Sequence, residues 1–421
     1  MKILFVAERY WPEVGAAPTR LENMAVGLRK EGCEVDILTS LPNYPRGRIY
    51  EGYRGCIHKH EDHLGVNIFR YWIYATISRN PLARIINMFS FAFIIWFFAH
   101  KRKRIKGYDY VVIQTPTLVV ATSAMILFKS IFKKRCILNV SDIWPMTAVD
   151  MGAMSINGFS FKFMASLEKY LYKKADGILG QSEEILNHVE QEIMVMTGKW
   201  HHPSNKDSDV ILNSKMWQQN PRLFLYRNLQ DYQIDNSYRT KGETLKLVFC
   251  GMLGVAQDVA SIVRNVPFNE LGVEFHIIGG GKQLEEIEEY CISNPNCMVY
   301  TYGLVPKEQI NKRLLGMDVG IVPLSSRIRG AFPSKLFEMI SQGLPVLFCG
   351  EGEGASFIKN KGLGFTSSPN DYMALIKNIK IMRDMSSADY EVMSSRCIKI
   401  SLEEFNFKKQ VKDCKFFLEH L

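Results

Sequence analysis

Short apolar runs rich in β-branched residues recur along this chain, each separated from the next by a segment of helix length, and that alternation constrains the fold more than any other feature. Strands are expected near 2–8, 34–39, 108–115, 135–141 and 177–181, and again near 245–251, 273–279, 298–302, 318–324 and 345–350. A parallel connection must cross its sheet, and a helix is the usual crossing, so this alternation implies βαβ units and parallel sheets. Ten such strands exceed what one compact sheet holds. The expected architecture is therefore α/β with two doubly wound domains, residues 1–235 and 236–400, which suits 421 residues at roughly 150 per domain. Between them, 197–244 is polar, and its one clear strand-like run, 223–228, reads as a late strand of the first domain before a linker. In 401–421, Leu402, Phe405, Phe407, Val411, Cys414, Phe417 and Leu418 recur at near-helical spacing, which predicts a terminal amphipathic helix.

Composition narrows the class. A hydrophobic content of 47% supplies real cores and excludes disorder. Nine Cys are scattered without a C-x-x-C pair, unlike a disulfide framework or zinc ribbon, and point to a reducing cytoplasm. The opening apolar run is too short for a signal-peptide core. The longest apolar run, 88–99 (MFSFAFIIWFFA), falls short of the ~20 residues of a bilayer span. Arg79, Arg84 and the cluster Lys101, Arg102, Lys103 and Arg104 flank that aromatic helix. It reads as docking on an anionic membrane surface, as a core helix with a solvated basic end, or as both if one face is buried. The net charge of +9 is spread out and no nucleic-acid module is present, so no nucleic-acid partner is expected.

Glycine-bearing loops sit where strands hand over to helices. After the first strand come Val14, Gly15, Ala16, Ala17, Pro18, Thr19 and Arg20, small residues that let backbone N–H groups approach an anion at a helix start. The spacing is not G-x-G-x-x-G, and a plain connecting loop is the alternative. In the second half, Gly251, Gly254 and Gln257 follow one strand and Gly279 ends the next, at the carboxyl ends where open α/β sheets bind ligands. The sharpest stretch runs from Arg327 and Arg329 through Pro333, Ser334, Lys335 and Glu338 to Gly343. Pro333 and Ser334 mark a helix start, so its N–H groups and Lys335 can face a diphosphate, while Glu338 one turn on can accept from ribose hydroxyls. Asp142, at the end of another apolar strand before Trp144 and Pro145, could bond a substrate hydroxyl, move a proton or merely cap its loop.

Taken in order, these residues, together with Pro42, Asn43, Tyr44 and Pro45, and with Tyr226, Arg227 and Asn228, resemble the GT-B glycosyltransferases of family 4 over nearly the whole chain. The likeness is greatest to the bacterial O-antigen and capsule branch that includes N-acetyl-L-fucosamine transferases. It implies two Rossmann-like domains facing a central cleft, with the last helix, 401–421, crossing back onto the first. It implies a UDP-sugar donor held mainly by the second domain, a lipid-linked saccharide acceptor held by the first, retention of configuration, and no metal cofactor. By the same resemblance Glu338 binds ribose, Lys335 and Ser334 meet phosphate, Gly15 and Ala16 approach the donor, and Asp142 meets a donor hydroxyl. Asp142, Lys335 and Glu338 are the catalytic candidates, and Arg20 and Arg329 join the donor-binding set. An acceptor on undecaprenyl diphosphate implies work at the cytoplasmic face of the bacterial membrane. The chain departs from the family twice: Gly330 stands eight positions before Glu338, where the family has a first glutamate, and Met252 and Gln257 replace a common Arg and Lys.

Other readings remain open on sequence. A GT-B sugar-nucleotide epimerase and a non-catalytic nucleotide-sugar-binding subunit would share the same loops. A zinc hydrolase is suggested by His58, His60, Asp62 and His63, which match H-x-H-x-D-H, although the surrounding residues read as a solvated hairpin. Adjacent His201 and His202 lie in the polar linker.

Overall fold

The computed structural model describes residues 1–78, 80–100, 102–198, 216–232 and 239–421. Arg79, Lys101, His201 and His202 lie outside the described residues. The chain forms two units, Met1–Gln230 with Phe407–Leu421, and Asp231–Asn406. The division therefore falls a few residues before the expected 235, and the C-terminal segment belongs to the first unit from Phe407 onward.

The first unit is an eight-stranded sheet built from β1 (Lys2–Val6), β2 (Glu34–Ser40), β3 (His58–His63), β4 (Val66–Tyr71), β5 (Tyr110–Gln114), β6 (Arg135–Val140), β7 (Gly177–Gly180) and β8 (Leu223–Leu225), in the order β3-β4-β2-β1-β5-β6-β7-β8. All pairs are parallel except the β3–β4 hairpin at the edge. Side chains alternate across the sheet. Leu4, Val6, Leu38, Val111, Ile113 and Leu138 enter one apolar layer, and Ile3, Phe5, Ile37, Val112, Ile137 and Leu179 the other. Burial on both faces is why these strands read as unbroken apolar runs. β1 is paired to β2 on one side and β5 on the other, so the winding direction reverses between β1 and β5.

Helices α1 (Ala16–Lys30), α2 (Pro81–Phe98), α3 (Arg102–Lys106), α4 (Leu118–Ala124), α5 (Met146–Asp150), α6 (Phe159–Lys174) and α7 (Glu183–Met196) flank this sheet. α2 is apolar around most of its circumference, interrupted by Arg84, Asn87 and Ser90. Phe91, Ala92, Ile95 and Phe98 enter the core at helical spacing, whereas Leu82, Ile85, Ile86, Phe89, Phe93, Trp96 and Phe97 remain exposed. The core-helix reading thus describes one face only. Among the described residues no helix is long and apolar enough to cross a membrane.

The second unit is a six-stranded parallel sheet of β9 (Lys246–Cys250), β10 (Glu274–Ile278), β11 (Val299–Thr301), β12 (Val319–Pro323), β13 (Val346–Cys349) and β14 (Gly364–Ser367), ordered β11-β10-β9-β12-β13-β14. β14 was not expected from the sequence. Its four residues, Gly-Phe-Thr-Ser, carry no apolar run because it is a partly exposed edge strand. Around it lie α8 (Val259–Asn265), α9 (Phe268–Leu271), α10 (Leu284–Ser293), α11 (Lys307–Leu314), α12 (Ser334–Ser341), α13 (Glu353–Lys361), α14 (Tyr372–Asp384) and α15 (Ser387–Glu404).

The single helix expected over 401–421 is instead the end of α15 and a separate helix, α16 (Phe407–Glu419). The break has a packing cause. Phe405 turns into the aromatic cluster of the second unit, against Phe337 at 4.7 Å and Phe357 at 5.4 Å. Val411, Cys414 and Leu418 instead join the α1 side of the first unit's core, where Gln410 exchanges two hydrogen bonds with the Arg227 backbone and Phe417 lies 5.1 Å from Phe224. One stretch of near-helical hydrophobic spacing is thus shared between two cores.

Candidate functional site

In the second unit β9 is followed in space by β10 on one side and β12 on the other, so the winding reverses between β9 and β12. A reversal leaves a crevice at the strands' carboxyl ends that no helix fills, which is where such sheets bind ligands. The loop after β9, containing Gly251, Gly254 and Gln257, and the loop after β12 leading to α12 both open there. The Ser325 N–H donates to the Ala256 carbonyl at 2.9 Å and ties the two together. Gly279 ends β10 at a φ of 152°, and a Cβ on it would stand 1.8 Å from the Gly251 oxygen. Only glycine permits that approach of two backbones.

α12 has no side-chain cap and no acid in its first turn, so its positive end is left for an external anion. Lys335 Nζ lies 2.7 Å from Glu338 Oε2, one turn along, and both side chains reach Cys250 electrostatically. Burial works against the Lys335 ammonium, but the charge and hydrogen bond of Glu338 together with Cys250 outweigh it and hold the amine above its usual value. Burial, then the Glu338 charge, pushes the Cys250 thiol up to about 12, which leaves it a neutral wall of the site. Ser334 is half-buried beside this pair in sequence, Arg327 is half-buried and Arg329 exposed on the loop between β12 and α12. Gly330, in place of the family's first glutamate, is buried at a φ of 74°, a left-handed conformation that disfavours the acid's return there. Met252 is exposed, while Gln257 folds back to within 3.4 Å of where a Gly254 Cβ would lie.

The first unit brings a second set of predicted residues together at the carboxyl ends of its strands. Gly15 precedes α1, Ala16 begins it, and Arg20 lies one turn in, 1% exposed. Arg20 donates to Gln181 Oε1 at 2.9 Å and to Ser141 Oγ, while its Nε–H finds no partner among the described residues. Ser141 Oγ also accepts from Gln114, whose Oε1 accepts from Asn139 at 2.7 Å. Burial lowers the guanidinium to about 10 against the pull of Asp142. Asp142 follows Ser141 and is half-buried, and among the described residues its carboxylate meets no hydrogen-bond donor. Burial raises its pKa, and Arg20 opposes that. A carboxylate with spare acceptor capacity beside a buried cation suits a polar ligand that brings hydroxyls.

Sequence reasoning passed over two contributors. Glu13 is buried and accepts from the Asn43 and Tyr44 N–H groups, each at 2.8 Å, and from the Tyr10 N–H at 3.3 Å, so it fastens the loop 9–15 to Pro42, Asn43, Tyr44 and Pro45. Its signal was an acid three residues after Tyr10 beside a proline, too common to single out. Tyr232 is held well above its usual pKa by burial, then by Glu338 and Cys250, so its phenol stays neutral within electrostatic reach of Glu338. Nothing local in the polar stretch around Tyr232 marks it.

The zinc reading fails on geometry. His58, His60 and Asp62 project to the exposed side of β3, whereas His63 faces the other way, stacked on Trp11 at 3.9 Å and bonded to Glu22 at 2.6 Å. Asp62 Oδ1 is engaged by the Gly65 N–H of the hairpin turn at 3.0 Å. A strand's alternation separates the four residues that the linear motif groups. Among the described residues no group of three or more His, Cys, Asp or Glu side chains is placed to hold a metal ion.

Comparisons with known proteins agree with this layout. Residues 15–201 match the glycosyl transferase 4-like domain and residues 244–384 match the glycosyl transferases group 1 domain. The putative colanic acid biosynthesis glycosyl transferase WcaI of Escherichia coli (strain K12) is 23% identical over 273 residues, which are 60% of this chain and 66% of that protein. The match thus spans just under two thirds of that relative. Among solved structures, sucrose-phosphate synthase from Thermosynechococcus elongatus has a TM-score of 0.69 at 13% identity, covering 100% of this chain and 98% of that one. Anabaena Alr3699/HepE in complex with UDP has 0.65 at 14%, with full coverage of both chains (100% and 100%). WaaG, a glycosyltransferase involved in lipopolysaccharide biosynthesis, has 0.59 at 14%, covering 98% and 99%. With two parallel-sheet units and a transferase domain model matching each, the chain has the GT-B fold and carries a glycosyl transferase 4-like domain followed by a glycosyl transferases group 1 domain.

Proposed function

We propose that this chain is a retaining, metal-independent glycosyltransferase that moves a sugar from a UDP-sugar to an undecaprenyl-diphosphate-linked saccharide in bacterial O-antigen or capsule synthesis. N-acetyl-L-fucosamine is the leading donor sugar, on the sequence resemblance. The observation that carries the proposal is the convergence of the uncapped α12 start, Lys335 and Glu338 at the point where the second sheet reverses its winding. An anion binds where N–H groups and an ammonium are already aimed, and a carboxylate one turn away recognises a vicinal diol. The UDP present in the Anabaena structure and the colanic acid biosynthesis role in the WcaI name support a UDP-sugar donor and a biosynthetic transfer.

As the anomeric bond breaks, the diphosphate gains negative charge. Lys335, the α12 start and the arginines of the preceding loop stabilise it, with Gln257 as a neutral donor, and such preorganised groups are worth several kcal/mol. The acceptor hydroxyl attacks on the face the leaving group vacates and passes its proton toward the departing phosphate, so no protein nucleophile is assigned. Asp142 holds a sugar hydroxyl, and Gly15, Ala16 and Arg20 form the first unit's polar wall. Product analysis by mass spectrometry, with a panel of UDP-sugars, chelator and a short-chain polyprenyl-diphosphate sugar, tests the reading. A glycosylated lipid is expected; an epimerised nucleotide sugar without glycolipid refutes transfer, and loss of activity in chelator refutes metal independence. Gly330 favours one second reading, a nucleotide-sugar-binding subunit without turnover, for which UDP binds and no product forms.

A further inference from the structure

Among the described residues the first unit leaves a broad apolar face uncovered. On α2, Phe93 is 69% and Phe97 57% exposed, and Ile85, Ile86 and Phe89 continue the row toward the helix start. α4 lies beside α2, joined by the Trp96 Nε1–H donating to Ser123 Oγ at 2.8 Å, and α6 packs on the other side of α4. At the start of α6, Phe159 is 84% exposed and stacked on exposed Phe163, just after exposed Met151 and Ile156. The three segments that build this face carry no acid. No Asp or Glu occurs from Leu64 to Tyr108, from Thr115 to Ser141 or from Met151 to Leu167. Exposed Arg84, Arg102, Lys103 and Lys162 stand among or beside the aromatics, and Arg104 lies over the Phe69 ring at 4.3 Å.

We propose that the outer face of α2 with the start of α6 seats this chain on the interfacial layer of an anionic bilayer, rings inserted and arginines and lysines at the headgroups. Charge complementarity selects this occupant. A second copy docked through the same patch would set basic residues against basic residues, because a two-fold interface pairs a surface with itself. A lipid surface supplies the missing negative charge and takes up the aromatic rings at the depth where they are most favourable. No described helix spans, so the contact is peripheral. The inference deepens the lipid-linked-acceptor reading and rests on it only for the choice of membrane.

The experiment floats the full chain with phosphatidylcholine vesicles, with and without phosphatidylglycerol, and in parallel titrates UDP calorimetrically. Binding is expected to the anionic vesicles and to weaken with salt. F93S/F97S is expected to lose about tenfold or more in partitioning, F159S several-fold, and both to keep wild-type UDP affinity and circular dichroism. The proposal is overturned if the wild-type chain ignores anionic vesicles, if the folded double variant binds them undiminished, or if the double variant instead converts a dimer to a monomer in sedimentation. UDP affinity reports on the donor site alone, so failure of the transferase reading is recognised separately.

Discussion

Replacing Glu338 by Gln separates two jobs that the proposed function gives to one turn of α12. The carboxylate now pairs with Lys335 at 2.7 Å, and in the proposed function UDP exchanges that contact for ribose hydroxyls on Glu338 and phosphate on Lys335. The Lys335 side chain is 36% exposed, so the pair it gives up is a partly screened helical pair worth about 0.5 kcal/mol. Hydrogen bonds from a diol to a buried carboxylate contribute about 1.5–3 kcal/mol. The difference, about 1–2.5 kcal/mol, predicts that Glu338→Gln weakens UDP binding roughly 5- to 70-fold. Inorganic pyrophosphate, which has no ribose, should bind the variant as well as or better than wild type, because Lys335 is released. Calorimetric titration of both ligands into both proteins measures this. Equal losses for UDP and pyrophosphate would mean that Glu338 acts only by orienting Lys335, and undiminished UDP binding would remove the ribose assignment altogether.

Three further outcomes follow from the geometry. Gly279→Ala forces a Cβ to 1.8 Å from the Gly251 oxygen and should cost about 2 kcal/mol or more of stability, measured by denaturant unfolding, with loss of UDP binding. Glu13→Ala removes the acceptor of three N–H bonds and should cost about 1–3 kcal/mol of stability, read from the denaturant midpoint. Burial, opposed by Arg9, raises the Glu8 pKa above 4.5, so its favourable contribution is complete below pH 4.5 and is lost as pH rises through the folded-state value. Glu8→Gln should therefore raise the melting temperature near neutral pH and leave it unchanged in acid; a lower melting temperature at pH 7.5 would contradict the sign.

The order of strands and helices was legible because both sheets are parallel and buried on both faces, which writes each strand as a run of apolar residues. β14 escaped for the converse reason, since an edge strand needs no such run. The loops around Gly15 and Gly251 and the α12 start were readable from residues that suit only tight turns, helix starts or anions. The linear H-x-H-x-D-H match does not become a clustered ligand set among the described residues because a strand sends neighbouring side chains to opposite faces, and only the β3–β4 pairing, at the hairpin expected there, revealed which face each histidine takes. Tyr232 and Glu13 could not have been found, because their roles depend on partners far along the chain or on backbone N–H groups that a sequence does not display. Two α/β domains and most of the residues at their strand ends were readable from the chain alone, since local chemistry and periodicity suffice for both. Tertiary structure alone decided that Phe405 and Val411 enter different cores, that α2 buries one apolar face and bares the other, and that Lys335 meets Glu338, because each depends on how segments distant in sequence pack or how one turn of helix aims two side chains.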